Sequence, residues 1–325
     1  MRFRPEDRRW RSLLMAAFLF GSMACTGSVS TPATKLAATP APKPSPGTIQ
    51  HASFTVSGME RFYRLFVPNS LDPNQPLPLV VLLHGCDAMR GSGDEVASDT
   101  HFDEEASVGH FVAAYPDGQV SDFSAALGRQ RCWNAGSCCI ENVTSPVADD
   151  VTFVSQLIDQ LTAALRIDKS RIFIVGVSAG AFMAYRLACE LSGRIAGMAS
   201  VAGTMLVDSC HPAQPVPILE MHGTDDSNVP YGGGAVFNGA SAPSVAAVVQ
   251  RWATLNGCVG NPIQSQSGVT KTSAWTDCKA GTIVRLDTVV GGHHTWFGST
   301  IDPVPGEPDA NVVIWSFFSS LQPKG

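Results

Sequence analysis

Residues 171–190 read RIFIVGVSAGAFMAYRLACE: an apolar run, then Gly176-Val177-Ser178-Ala179-Gly180, then a run with a helical apolar face. A serine flanked by small residues at a strand-to-helix junction marks a nucleophile held on a strained turn, because small neighbours let strand and helix approach without clashing. The bare pentapeptide is a weak signal. Its weight comes from the strand pattern before it and the helix pattern after it, which make Ser178 the candidate nucleophile.

Outward from this junction, strand and helix patterns alternate. Apolar strands are expected at residues 61–67, 77–83, 111–115, 171–177, 195–201, 216–221 and 283–289. Helices are expected from the Asp149-Asp150 pair onward, with Val151, Val154, Leu157, Ile158, Leu161 and Leu165 on one face, and over residues 179–191, 244–255 and 310–321. Continuous apolar strands separated by helices predict an α/β fold, a mostly parallel sheet with helices on both faces.

A serine nucleophile needs a base, and the base needs an orienting carboxylate. After this kind of elbow the expected chain order is acid, then histidine. His222-Gly223-Thr224-Asp225-Asp226 follows the strand at 216–221, and Gly291-Gly292-His293-His294-Thr295-Trp296 follows the strand at 283–289. Both lie past the carboxyl ends of strands, where open α/β sheets place their sites. Spacing alone does not separate Asp225 from Asp226, or His293 from His294. Leu82-Leu83-His84-Gly85-Cys86 ends the strand at 77–83 and matches the loop that completes an oxyanion hole. The expected donors are the backbone N–H groups of Cys86 and Ala179. His84 and His222 read as braces that hydrogen-bond their loops, and Cys86 as a nucleophile is the rival reading of that loop.

The chain has 325 residues, 44% of them hydrophobic and only 15% charged, which excludes disorder over most of its length. Arg2, Arg4, Arg8, Arg9 and Arg11 precede an apolar run over residues 12–23, the pattern of an export signal too short to span a bilayer. Ser22 and Ala24 suit cleavage before Cys25, the lipidation candidate, although Ser22 stands where a lipoprotein signal usually has leucine. Residues 25–47 are rich in Pro, Ser and Thr and read as a tether. The expected organisation is thus signal peptide 1–24, tether 25–47 and catalytic domain 48–325.

Lipidation of Cys25 would leave eight of nine cysteines, an even set for an oxidising compartment. Cys258 with Cys278 is the expected local bridge, closed around a hairpin. A zinc reading of Cys132, Cys138 and Cys139 lacks the paired spacings of such sites. Removing residues 1–24 takes five of 22 basic and two of 28 acidic residues, leaving a net charge of −9, which argues against nucleic-acid binding. The sequence has no P-loop, no dinucleotide fingerprint and no His-Glu-x-x-His helix, so no cofactor and no metal is implied.

Taken together, these motifs resemble the polyhydroxybutyrate depolymerase family of esterases, which includes feruloyl and acetylxylan esterases. The resemblance runs through LLHGC at 82–86, YPDG at 115–118, CWNAGSCC at 132–139, DDVTFV at 149–154, the elbow at 176–190, HGTDDSNVPYGGG at 222–234 and GGHHTWFG at 291–298. It implies a single α/β-hydrolase domain and a serine esterase working through an acyl-enzyme on Ser178, outside the cytoplasm, either secreted or as a cell-surface or periplasmic lipoprotein tethered by a lipid on Cys25. It also implies Asp226 as the acid and His294 as the base, with Asp150 and Trp133 at recurrent family positions. The departure is Phe297, where the family often has proline. The partner implied is an ester substrate, a hydroxyalkanoate oligomer or polymer; the alternative is a feruloyl or acetylxylan ester of plant cell walls. Trp133, Trp296, Phe297 and Tyr231 are the expected substrate-adjacent aromatics. A peptidase or acyltransferase on the same scaffold, and a non-catalytic surface protein, are the rival functions.

Overall fold

Strands that are apolar at every position need cover on both faces, and the chain supplies it. The computed structural model describes residues 47–69, 75–86, 91–124, 128–139, 147–236 and 239–324. The expected signal peptide, most of the tether and Cys25 lie outside the described residues.

The chain opens with an antiparallel pair, β1 (Ile49–Val56) and β2 (Met59–Phe66), followed by β3 (Leu77–Leu83), the short helices α1 (Gly93–Thr100) and α2 (Phe102–Gly109), and β4 (Val112–Pro116). A separate hairpin, β5 (Gln119–Ser124) and β6 (Gly128–Cys132), precedes α3 (Asp150–Ala164), β7 (Ile167–Val177), α4 (Ala179–Glu190), β8 (Gly197–Val201) and β9 (Ile218–Gly223). A two-residue ladder, β10 (Gly234–Ala235) with β11 (Ser241–Ala242), leads to α5 (Val245–Leu255). The polar hairpin β12 (Ile263–Ser267) and β13 (Thr270–Trp275), then β14 (Val284–Val289) and α6 (Ala310–Ser320), complete it.

Ten strands form one sheet in the order β1-β2-β4-β3-β7-β8-β9-β14-β13-β12. The six from β4 to β14 run parallel, and an antiparallel pair closes each edge. Side chains alternate across the sheet. Leu79, Val81 and Leu83 of β3 and Ile172 and Ile174 of β7 join α3, α4 and α5 in one core, whereas Val80, Leu82, Phe173 and Val175 join α1, α2 and α6 in the other. The expected parallel sheet with helices on both faces is the observed one.

Helices α1 and α2 and the edge strand β1 are not among the elements expected from sequence, whereas β2 and the β12–β13 hairpin are. Helices α1 and α2 are eight residues each, too short to show a sustained 3.6-residue period. Strand β12 is exposed along its whole length, so burial writes no apolar alternation into it. Asp149 alone caps α3, accepting from the Thr152 amide at 2.9 Å; Asp150 is already helical, fully buried and ion-paired to Arg61 at 2.6 Å. No helix among the described residues is long and apolar enough to cross a membrane.

The topology fixes where a site can be. From β3 the chain passes to β4 on one side, and β7 then pairs with the other side of β3. Loops leaving the carboxyl ends of β3 and β7 therefore diverge, opening the crevice in which α/β sheets bind their ligands.

Candidate active site

Ser178 occupies that crevice, between the last residue of β7 and the first of α4. Its backbone is at φ 55°, ψ −122°, a region that costs a non-glycine residue about 1–3 kcal/mol and persists only where the surroundings enforce it. The enforcement is visible: the Ser178 amide donates to the Val201 carbonyl at 3.0 Å, and the Ser178 carbonyl accepts from the Ala181 amide at 2.9 Å. The glycines of the motif are steric requirements. A Cβ on Gly180 would sit 2.1 Å from the Leu83 carbonyl oxygen, and one on Gly176 would sit 2.2 Å from that of Gly180. Gly180→Ala is accordingly expected to destabilise the fold by about 3 kcal/mol or more, read from the urea midpoint. A variant as stable as the parent would mean that α4 does not lie against β3.

His294 arrives from the loop after β14. Its Nε2 lies 2.9 Å from Ser178 Oγ, and its Nδ1 lies 2.8 Å from Asp226 Oδ2. The other Asp226 oxygen accepts from the amides of Asn228 and Val229 at 2.9 and 2.8 Å. Burial by itself would raise the Asp226 carboxyl, but hydrogen bonds with His222, His294 and the Val229 amide hold it well below the usual carboxylate range. The neighbouring residues point elsewhere. Asp225 accepts from Thr224 Oγ1 at 2.9 Å, and His293 is half-buried, 3.9 Å from Asp302.

The loops carrying Asp226 and His294 are stitched together. Thr224 N donates to Val289 O at 3.0 Å, Asp225 N to Gly292 O at 2.9 Å, and Gly291 N to Thr224 Oγ1 at 2.8 Å. A Cβ on Gly223 would meet the Gly292 carbonyl oxygen at 2.1 Å, so the glycine after His222 is what lets the two loops touch. Parallel pairing of β9 with β14 thus sets the distance between Asp226 and His294.

The β3 loop closes the third side. A Cβ on Gly85 would lie 3.2 Å from that of Ser178, so this backbone runs alongside Ser178. His84 is fully buried beneath the loop: Nδ1 donates to Gly85 O at 2.6 Å, and Nε2 accepts from the Gly118 amide at 2.9 Å. Burial lowers it to about 4, with the Gly85 carbonyl opposing, so it is a neutral brace. The LLHGC and YPDG motifs are thereby joined in one contact. Cys86 is bonded to Cys132, which removes its thiol from consideration as a nucleophile and ties this loop to β6. The Ala179 N–H, at the start of α4, belongs to the first helical turn, whose amides have no intrahelical partner.

The expected aromatic wall is largely core. Trp133 is fully buried, its Nε1 donating to the His84 carbonyl at 2.8 Å and its ring packed on His84. It supports the β3 loop from below and presents no face to a substrate. Phe297 is also fully buried, and Trp296 is 6% exposed with Nε1 on Asn311 Oδ1 at 3.0 Å. Their flat rings fill the space between the His294 loop and α1, α2 and α6. Tyr231 is half-buried, its hydroxyl 2.8 Å from Thr288 Oγ1. Sequence reasoning missed Glu220, a fully buried carboxylate 3.0 Å from His222 Nδ1. Its signal was present in ILEMHG, where two polar residues two apart share one face of a buried strand.

Eight cysteines form four disulfides: Cys86–Cys132, Cys138–Cys139, Cys189–Cys210 and Cys258–Cys278. The last encloses the β12–β13 hairpin as expected. Disulfides of this number belong to an oxidising, extracytoplasmic setting. Cys132, Cys138 and Cys139 are all bridged, so their sulfurs are not the thiolates a zinc ion would need.

Fold and geometry together define an α/β-hydrolase that brings Ser178, His294 and Asp226 into contact. Residues 67–248 match the model of the phospholipase/carboxylesterase family, and the chain belongs to that family. Feruloyl esterase B of Piromyces equi is 31% identical over 236 residues, covering 70% of this chain and 41% of that protein, so the chain spans less than half of this relative. Feruloyl esterase D of Neurospora crassa is 25% identical over 284 residues, 83% of this chain and 85% of its own length. Among solved structures, an acetyl xylan esterase from Aspergillus awamori has a TM-score of 0.58 at 15% identity, over 83% of this chain and 100% of that one, a likeness of fold.

Proposed function

We propose that the protein hydrolyses feruloyl esters of plant cell-wall polysaccharide, with acetylxylan as the second substrate of the same class, through an acyl-enzyme on Ser178. The observation that carries the chemistry is the chain of contacts from Ser178 Oγ to His294 Nε2 at 2.9 Å and from His294 Nδ1 to Asp226 at 2.8 Å. In this reading His294 takes the Ser178 proton as Oγ attacks the ester carbonyl. The amides of Ala179 and Cys86 receive the oxyanion, and His294 returns the proton to the leaving alcohol. Water then repeats the sequence on the acyl-enzyme. Asp226 stays ionised throughout, which its depressed titration supports.

The polyester substrate expected from sequence gives way to its stated alternative, because the relatives carry the name feruloyl esterase. Of the expected substrate-adjacent aromatics, half-buried Tyr231 is the retained candidate. Export belongs to the same reading, with residues 1–24 as leader, 25–47 as tether and 48–325 as the catalytic domain. The four disulfides support it; the lipid on Cys25 rests on sequence alone.

The test is a matched panel of feruloylated and acetylated xylo-oligosaccharides and hydroxybutyrate oligomers. The expected result is the highest kcat/KM on a cell-wall ester. Preference for the hydroxybutyrate oligomer would restore the polyester reading, and turnover of none would overturn the proposal.

A further inference from the structure

Burying several ionisable groups in contact is expensive unless each is paired, and this protein does so directly behind its serine site. Alternation along β9 puts Glu220 and His222 on the sheet face that carries α4 and α5, at 1% and 0% exposure. Glu220 Oε2 accepts from the Tyr185 hydroxyl of α4 at 2.8 Å, and Oε1 is 3.0 Å from His222 Nδ1. His222 Nε2 lies 2.8 Å from the Val229 carbonyl and 3.3 Å from Asp226 Oδ2. That same Oδ2 is the oxygen held by His294.

A carbonyl only accepts, so Nε2 carries hydrogen. Nδ1 faces a carboxylate, which accepts when ionised and donates only when it holds the proton itself. The adjacent Asp226 carboxylate decides between these states, because a cation beside it is stabilised and a neutral ring is not. Burial alone would lower His222, yet Asp226 and Glu220 together raise it to about 10. The remaining neighbours carry no opposing charge: the Tyr231 ring lies edge-on at 6.0 Å, and Thr288 of β14 is the strand partner. Among the described residues, the only other titratable group on this oxygen is His294.

We propose that His222 is a positioning residue: an imidazolium, held by Glu220, that fixes Asp226 Oδ2 toward His294 and offsets part of its charge, so that His294 becomes a free base at lower pH. This rests on Ser178, His294 and Asp226 acting as the triad. The sign follows directly. A cation sharing the Asp226 oxygen disfavours a second proton on His294, and removing that cation lets His294 hold its proton to higher pH. The acidic limb of kcat/KM reports this ionisation in the free enzyme.

The experiment uses His222→Gln in the full chain, since the glutamine amide donates to the Val229 carbonyl without bearing charge. The acidic limb of kcat/KM is expected to move up by about one to two pH units, the scale set by two unit charges ~6 Å apart at an effective dielectric of ~20. A folded variant with lowered rate and an unmoved limb would show that His222 only braces the loop, and would overturn the proposal. Should the variant fail to fold, 15N-histidine spectra of the parent protein decide. The expected signature at pH 8 is one buried imidazole protonated on both ring nitrogens, and eight neutral tautomers would refute it. That readout is independent of turnover, so failure here and failure of the triad assignment are distinguishable.

Discussion

Ser178→Ala is expected to lower kcat/KM on the best ester by about 10⁴-fold or more while leaving the fold and its melting temperature intact. The loss is large because in the proposed mechanism the serine oxygen is the atom that attacks, and neither water nor a neighbouring side chain replaces it at the mouth of β7. The fold survives because alanine meets the same backbone demand as serine. Both carry a Cβ at φ 55°, and the Ser178 side chain makes no capping bond to α4. Two measurements check this, steady-state hydrolysis and labelling by a fluorophosphonate, which should vanish in the variant. Retention of more than about a tenth of the parental rate would place the nucleophile elsewhere.

The second large effect separates two adjacent histidines. His294→Ala is expected to reduce kcat/KM by about 10³-fold or more, because the ring between Ser178 and Asp226 is removed. His293→Ala is expected to stay within about threefold of the parent, as a half-buried side chain outside the Ser178–His294–Asp226 contacts changes little when truncated. His293 is half-buried and hydrogen-bonds neither Ser178 nor Asp226; its Nδ1 lies 3.9 Å from the exposed Asp302 carboxylate. Equal losses in two folded variants would mean that the loop after β14 adopts another register in solution.

Much of this site is legible in the chain because its constraints are local. Gly176 and Gly180 lie two residues to either side of Ser178, so a five-residue pattern with its flanking strand and helix announces the elbow. The choice of Asp226 over Asp225 is different. Residue spacing leaves it open, the family resemblance points to Asp226, and pairing of β9 with β14 is what brings that carboxylate, and not its neighbour, to His294. Trp133 shows where motif reading fails. A tryptophan in a recurrent segment reads equally as a substrate platform or as core, and only its 0% exposure and its bond to the His84 carbonyl separate the two.

The sequence by itself determined the α/β class, the candidate nucleophile, the loops that carry the candidate acid and base, and the cysteine complement, since each is written in contiguous residues with a period or a spacing. The tertiary structure decided which cysteines pair, that His84 and Trp133 support the β3 loop, and that Glu220 and His222 stand behind Asp226. Those relations join residues from strands distant in the chain, and their distances are set by sheet order and helix packing, quantities that no local pattern of residues encodes.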